Sequence, residues 1–68
     1  MFKYILLPDG RSCGHTIENS YDIEAFGYDG KYLGRFIKAS NITTDHYGQL
    51  VQQGDATGFL IMAYYANK

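Results

Sequence analysis

Residues 21–38 read YDIEAFGYDGKYLGRFIK, and the pair Asp29-Gly30 near their centre decides the fold. Asp-Gly between two strand-like runs is a favoured two-residue hairpin turn, because both residues tolerate the positive φ that the turn requires. Such a turn sets a register. Tyr28 then faces Lys31, Gly27 faces Tyr32, Phe26 faces Leu33, Ala25 faces Gly34, Glu24 faces Arg35 and Ile23 faces Phe36. Alternation sorts these residues onto two faces. Ile23, Ala25, Gly27, Tyr32, Gly34 and Phe36 share one face, small enough in its middle for a helix backbone to approach, and this face is assigned to the core. The opposite face mixes Asp22, Glu24, Lys31 and Arg35 with Phe26, Leu33 and Ile37, which describes a solvated surface bearing apolar side chains.

Upstream, the apolar run Phe2 to Leu7 suits a largely buried strand and Pro8-Asp9-Gly10 supplies turn chemistry. A short return strand from about Ser12 to Ile17 follows, with Gly14 as a weak point or bulge. Downstream, Thr43-Thr44-Asp45 has the composition of a helix start, Tyr47, Leu50 and Val51 fall at helical spacing, and Gly54 supplies a stop. One short helix over about 44–53, packed on one face of the sheet, is therefore predicted. Asp55 to Gly58 is expected as a loop and Phe59 to Ala66 as a last strand, apolar on both faces. The expected fold is α+β: one domain over residues 1–68, with a small antiparallel sheet of three to four strands around the central hairpin. No internal repeat stands out.

A domain of 68 residues buries only ~60% of the surface its unfolded chain exposes, so a partner subunit is a natural source of added stability. Cys13 is the only cysteine, which excludes an internal disulfide. With no apolar leader at the start of the chain, that lone thiol predicts a reducing, cytoplasmic setting. The net charge of −1 and the scattering of Lys3, Arg11, Lys31, Arg35, Lys38 and Lys68 argue against a protein that grips nucleic acid through its phosphates. No apolar run approaches the ~20 residues that span a bilayer. Seven tyrosines and four phenylalanines are the compositional oddity, and such side chains both fill small cores and anchor protein interfaces.

No set of residues assembles a catalytic centre. Cys13 and His15, expected on one side of a strand, could meet Asp45 or His46, but the spacing matches no common zinc pattern. The same Cys and His lack an orienting third group, and Gly10 and Gly14 are not followed by the Lys-Ser/Thr of a phosphate loop. Glu18, Asp22 and Glu24 are best explained as solvated strand carboxylates. No enzyme activity, metal or cofactor is predicted.

The aromatic residues support a sharper expectation. Phe26, Leu33 and Tyr28 on the outer face of the hairpin form the centre of a partner-binding site, and Glu24, Lys31 and Arg35 form its polar rim. The alternative use of sheet aromatics is base stacking by a single-stranded nucleic-acid binder, with Phe26, Tyr28, Tyr64 and Tyr65 as the candidates. In size, poverty of motifs and aromatic content the chain looks like the small accessory proteins of bacteriophages and mobile elements, many of which inhibit a host protein by binding it. That resemblance is one of style and assigns no residue a role. The function expected is thus a small protein–protein interaction module, either an inhibitor that occludes a partner's surface or a homodimer joined through the last strand or the sheet face to which that strand contributes.

Overall fold

A computed structural model describes all 68 residues. The strands are β1 (Phe2–Leu6), β2 (Ser12–Glu18), β3 (Asp22–Gly27), β4 (Tyr32–Ile37), β5 (Ile42–Asp45) and β6 (Leu50–Gln53), followed by one helix, α1 (Thr57–Ala66). All six form one antiparallel sheet in chain order, β1-β2-β3-β4-β5-β6, and α1 lies on one face across β2, β3 and β4. The α+β class, the antiparallel sheet and the single packed helix are as the sequence predicts. The strand count is six, where three or four are expected.

The excess strands arise where a helix is predicted. Residues 44–53 form the β5–β6 hairpin instead, and Tyr47 sits in its turn. The apparent start signal is turn chemistry: the Asp45 carboxylate accepts the N–H groups of Tyr47 and Gln49, each at 2.9 Å, so it caps a loop and not a helix. The expected last strand is the helix. Its apolar run carries no alternation to choose between the two states, and tertiary packing decides for the helix by seating Leu60, Ile61 and Tyr64 on the sheet. At the start of α1 the Asp55 carboxylate accepts from the Thr57 N–H at 2.9 Å and its hydroxyl at 2.7 Å.

Three hairpins repeat one geometry. In each, a glycine with positive φ (Gly10, Gly30, Gly48) donates its N–H to the carbonyl three residues back (Leu7, Gly27, Asp45). That same acceptor residue donates to the residue after the glycine (Arg11, Lys31, Gln49) at 2.7–2.9 Å. This is the three-residue loop with a glycine bulge. In each hairpin the third residue beyond the glycine, Cys13, Leu33 or Val51, is skipped by the strand pairing. The central turn therefore contains Tyr28, Asp29 and Gly30, so Gly27 pairs with Lys31 and Phe26 with Tyr32. The extra residue at Leu33 then restores the expected register from Ala25 opposite Gly34 to Ile23 opposite Phe36.

That double slip has a packing result. Leu33, expected on the outer face, turns into the core beside Cys13, Ala25 and Ile61. Tyr32 takes the outer position beside Phe26 in exchange. The helix approaches closely because its floor is made of glycines. A Cβ on Gly14 would stand 2.3 Å from the Phe26 carbonyl oxygen and 2.6 Å from Ile61 Cγ2, and one on Gly27 2.6 Å from the Tyr64 ring. Buried Thr43 ties β5 to the segment that leads into α1: its hydroxyl donates to the Gly54 carbonyl at 2.7 Å and accepts the Ala56 N–H at 2.9 Å.

Candidate interaction surface

With α1 covering one side, the other side of the sheet is left open by the chain. Strand alternation and pairing place Phe2 and Tyr4 of β1, His15 of β2, Phe26 of β3 and Tyr32 of β4 on that side. Their rings form a continuous row. His15 is stacked between Phe2, with centroids 4.7 Å apart and planes 23° apart, and Phe26, at 4.9 Å and 10°. Tyr4 meets the Phe2 ring edge-on at 4.9 Å, and Tyr32 closes the row 5.7 Å from Phe26. Pairs of this kind contribute about 0.5–1.5 kcal/mol beyond the area they bury. The β1 end is the most open, with Phe2 51% and Tyr4 60% exposed. At the β4 end burial raises the Tyr32 hydroxyl above the ordinary phenol range.

Charged groups flank the row and are engaged with one another. The Asn19 amide donates to Asp22 at 2.8 Å and to Glu24 at 2.9 Å, while Arg35 reaches Asp22 at 3.2 Å and lies opposite Glu24 in the ladder. Away from the row, on the side of Thr16 and Thr57, Lys38 donates to Glu18 at 2.7 Å and holds that carboxyl below its usual range. This leaves a polar margin with no concentration of unpaired positive charge.

Of the six residues expected to bind a partner, Phe26, Glu24 and Arg35 come together on the open side. Leu33 is in the core. Tyr28 and Lys31 belong to the helix side, where Tyr28 lies 5.6 Å from Tyr64 and 5.7 Å from Tyr65, and the Lys31 ammonium lies 5.6 Å from the Tyr64 ring centroid. The Lys68 ammonium lies 4.4 Å from the Tyr65 ring and 5.1 Å from that of Tyr28. The four candidate stacking rings are divided likewise, with Phe26 apart from Tyr28, Tyr64 and Tyr65. Phe2, Tyr4, His15 and Tyr32 were missed as members of one site. Their signal was the period-two spacing of residues 2 and 4, but only the β1–β2–β3 register brings it beside Phe26.

Cys13 and His15 do not share a side. The bulge at Cys13 turns its thiol inward, 3.3 Å from the Ile5 carbonyl and 3.5 Å from the Met62 sulfur, while His15 points into the ring row. No three His, Cys, Asp or Glu side chains gather in a geometry fit for a metal ion. No helix is long and apolar enough to cross a membrane. Comparison with known proteins returns no matching family model, no matching curated protein and no matching solved structure.

Proposed function

We propose that the protein acts by binding another protein through the open side of its sheet and occluding that partner's surface, with the ring row as the energetic anchor. The observation that carries this reading is the continuous row from Phe2 and Tyr4 to Tyr32, on a side that no element of the chain covers. Contiguous exposed apolar surface with a polar margin is the usual plan of a binding face, in which a few aromatic side chains supply most of the energy. The Asn19, Asp22, Glu24 and Arg35 group supplies that margin.

A protein fits this surface better than a nucleic acid. Base stacking needs a free ring face, and both faces of His15 are taken by Phe2 and Phe26. Phosphate binding needs available cations, and Arg35 is engaged by Asp22. The test is capture of a partner from the source cell by the full chain, followed by affinity measurement with the purified pair. Phe26→Ala is expected to weaken binding at least ~30-fold, the loss of ~2 kcal/mol typical of an anchor, while Phe59→Ala on the outward side of α1 leaves it unchanged. Affinity that collapses with rising salt, or that ignores Phe26→Ala, overturns the reading.

A further inference from the structure

The two edges of the sheet are unequal. β6 is four residues long and carries a bulge at Val51, features that blunt an edge against pairing. β1 is longer and carries no bulge of its own: its five residues, FKYIL, hold a single charge, Lys3, and its outer side chains Phe2, Tyr4 and Leu6 are 51%, 60% and 58% exposed.

The hydrogen bonds show which backbone groups face solvent along β1. Met1 exchanges bonds with Glu18, and Leu7 donates to Arg11, so the odd-numbered residues direct their N–H and C=O groups to β2. Phe2, Tyr4 and Leu6 direct theirs outward. The same three residues place their side chains on the open side, since Ile5 and Leu7 pack on the core. The free edge thus offers three evenly spaced donor–acceptor sites, centred on Tyr4.

We propose that two copies of the chain pair antiparallel through β1 about a two-fold axis at Tyr4. The register follows from symmetry: Tyr4 faces Tyr4 of the second copy, and Phe2 faces Leu6. Each of these is a hydrogen-bonded pair that exchanges both bonds, so every outward group of the strand is satisfied. Pro8, which has no N–H, ends the match at one side of the strand. Lys3 falls opposite Ile5 and lies on the helix side, where it lines a shallow hollow with Glu18 and Asp55 away from the ring row. The pairing closes on itself as a two-fold dimer, whereas joining β1 to β6 is a head-to-tail contact that leads to rings or open filaments. It merges two six-stranded sheets and makes the two ring rows continuous through Phe2 and Tyr4. It does not depend on the partner proposed above. One strand pair is a small contact, so the dimer is weak, with Kd on the order of 10 μM.

The test is concentration-dependent sedimentation and amide exchange of the full chain between ~5 and ~500 μM. The expected result is a shift from monomer to dimer mass, with the amides of Phe2, Tyr4 and Leu6 slowing at least about fivefold while those of Leu50–Gln53 do not change. Tyr4→Lys sets like charges across the axis and is expected to leave a monomer at every concentration. Leu50→Lys, on the opposite edge, is expected to leave the dimer intact. A wild-type monomer at ~500 μM, a dimer that survives Tyr4→Lys, or a dimer in which the three amides stay unprotected overturns the proposal. If Tyr4→Lys unfolds the domain, the wild-type amide pattern alone decides.

Discussion

The hydroxyl of Tyr64 donates to the carboxylate of Asp29 at 2.7 Å, joining α1 to the β3–β4 turn across 35 residues. The same ring lies where a Cβ on Gly27 would stand, and the Asp29 carboxylate also accepts the Lys31 N–H at 3.1 Å. One side chain therefore reads both the glycine floor and the turn. That makes the docking of the helix depend on a polar contact at the surface as well as on the apolar core beneath it.

The first prediction concerns pH. The bond to Asp29 is the main cause that pushes the Tyr64 phenol up to about 12, and it also lowers the Asp29 carboxyl below its usual value. A phenol whose proton is held more tightly in the folded state stabilises fully below its ordinary value of 10.0, and that contribution is lost as pH rises from there to about 12. The Asp29 contribution has the opposite sense: it is present above 3.8 and is lost as pH falls through the lowered value. Phenolate absorbance is expected to end on a late step that belongs to Tyr64, beyond the rise that burial gives Tyr32. Tyr64→Phe should remove that last step and Asp29→Asn should bring it down. A last step that neither Tyr64→Phe nor Asp29→Asn alters would mean that the contact is absent in solution.

The second prediction separates two glycines. Gly14→Ala places a methyl against the Phe26 carbonyl, backbone that cannot move aside, and against the buried Ile61 side chain, so about 1–3 kcal/mol of overpacking is expected. Gly58 lies in α1 with nothing within 4 Å of an added Cβ, and Gly58→Ala should stabilise by about 0.5–1 kcal/mol through helix propensity. Thermal melts should therefore move in opposite directions, by several degrees each in a domain of this size.

The parts of the fold that were legible in the sequence are those set by local chemistry. Asp29-Gly30 marked a turn and Pro8-Asp9-Gly10 marked another, and both are there. The small-residue face of the hairpin, Ala25, Gly27 and Gly34, does receive the helix. Local signals failed where two structures share them. Thr43-Thr44-Asp45 has the composition of both a helix start and a hairpin entrance, and Phe59 to Ala66 has no period that distinguishes strand from helix. The repeat of three hairpins was hidden because its third copy has Tyr47 where the others have aspartate. The candidate surface was legible only at Phe26, Glu24 and Arg35. A loop one residue longer than expected exchanged Leu33 for Tyr32, and β2 had to be registered before His15 could be placed between Phe2 and Phe26.

The third prediction tests the link between β5 and the helix. Thr43 is fully buried and its hydroxyl both donates to Gly54 and accepts from Ala56. Thr43→Val keeps the shape and strands both backbone partners, at an expected cost of about 1–3 kcal/mol in urea unfolding. Thr44→Val, whose hydroxyl bridges no such pair, should cost less. Equal costs would show that side-chain shape, and not the bridge, is what position 43 supplies.

The last prediction divides Leu33 from Phe26, which the sequence places together and the structure separates. Leu33 is 6% exposed and packs with Cys13, Ala25 and Ile61, so Leu33→Ala removes buried methyl groups and leaves a cavity. The expected cost is about 2–5 kcal/mol, enough to lower the melting temperature of a domain of this size by more than about 10 °C. Phe26 is half-buried on the open side and its main contacts are the rings of His15 and Tyr32. Phe26→Ala should therefore cost less, about 1–3 kcal/mol of stability from the two lost ring contacts, while removing the anchor of the proposed binding face. Melting curves of the two variants beside partner affinity for Phe26→Ala give the decisive comparison. If Phe26→Ala melts as low as Leu33→Ala, the ring row is a second core that holds the sheet together, and the open side loses its claim as the surface through which the protein acts.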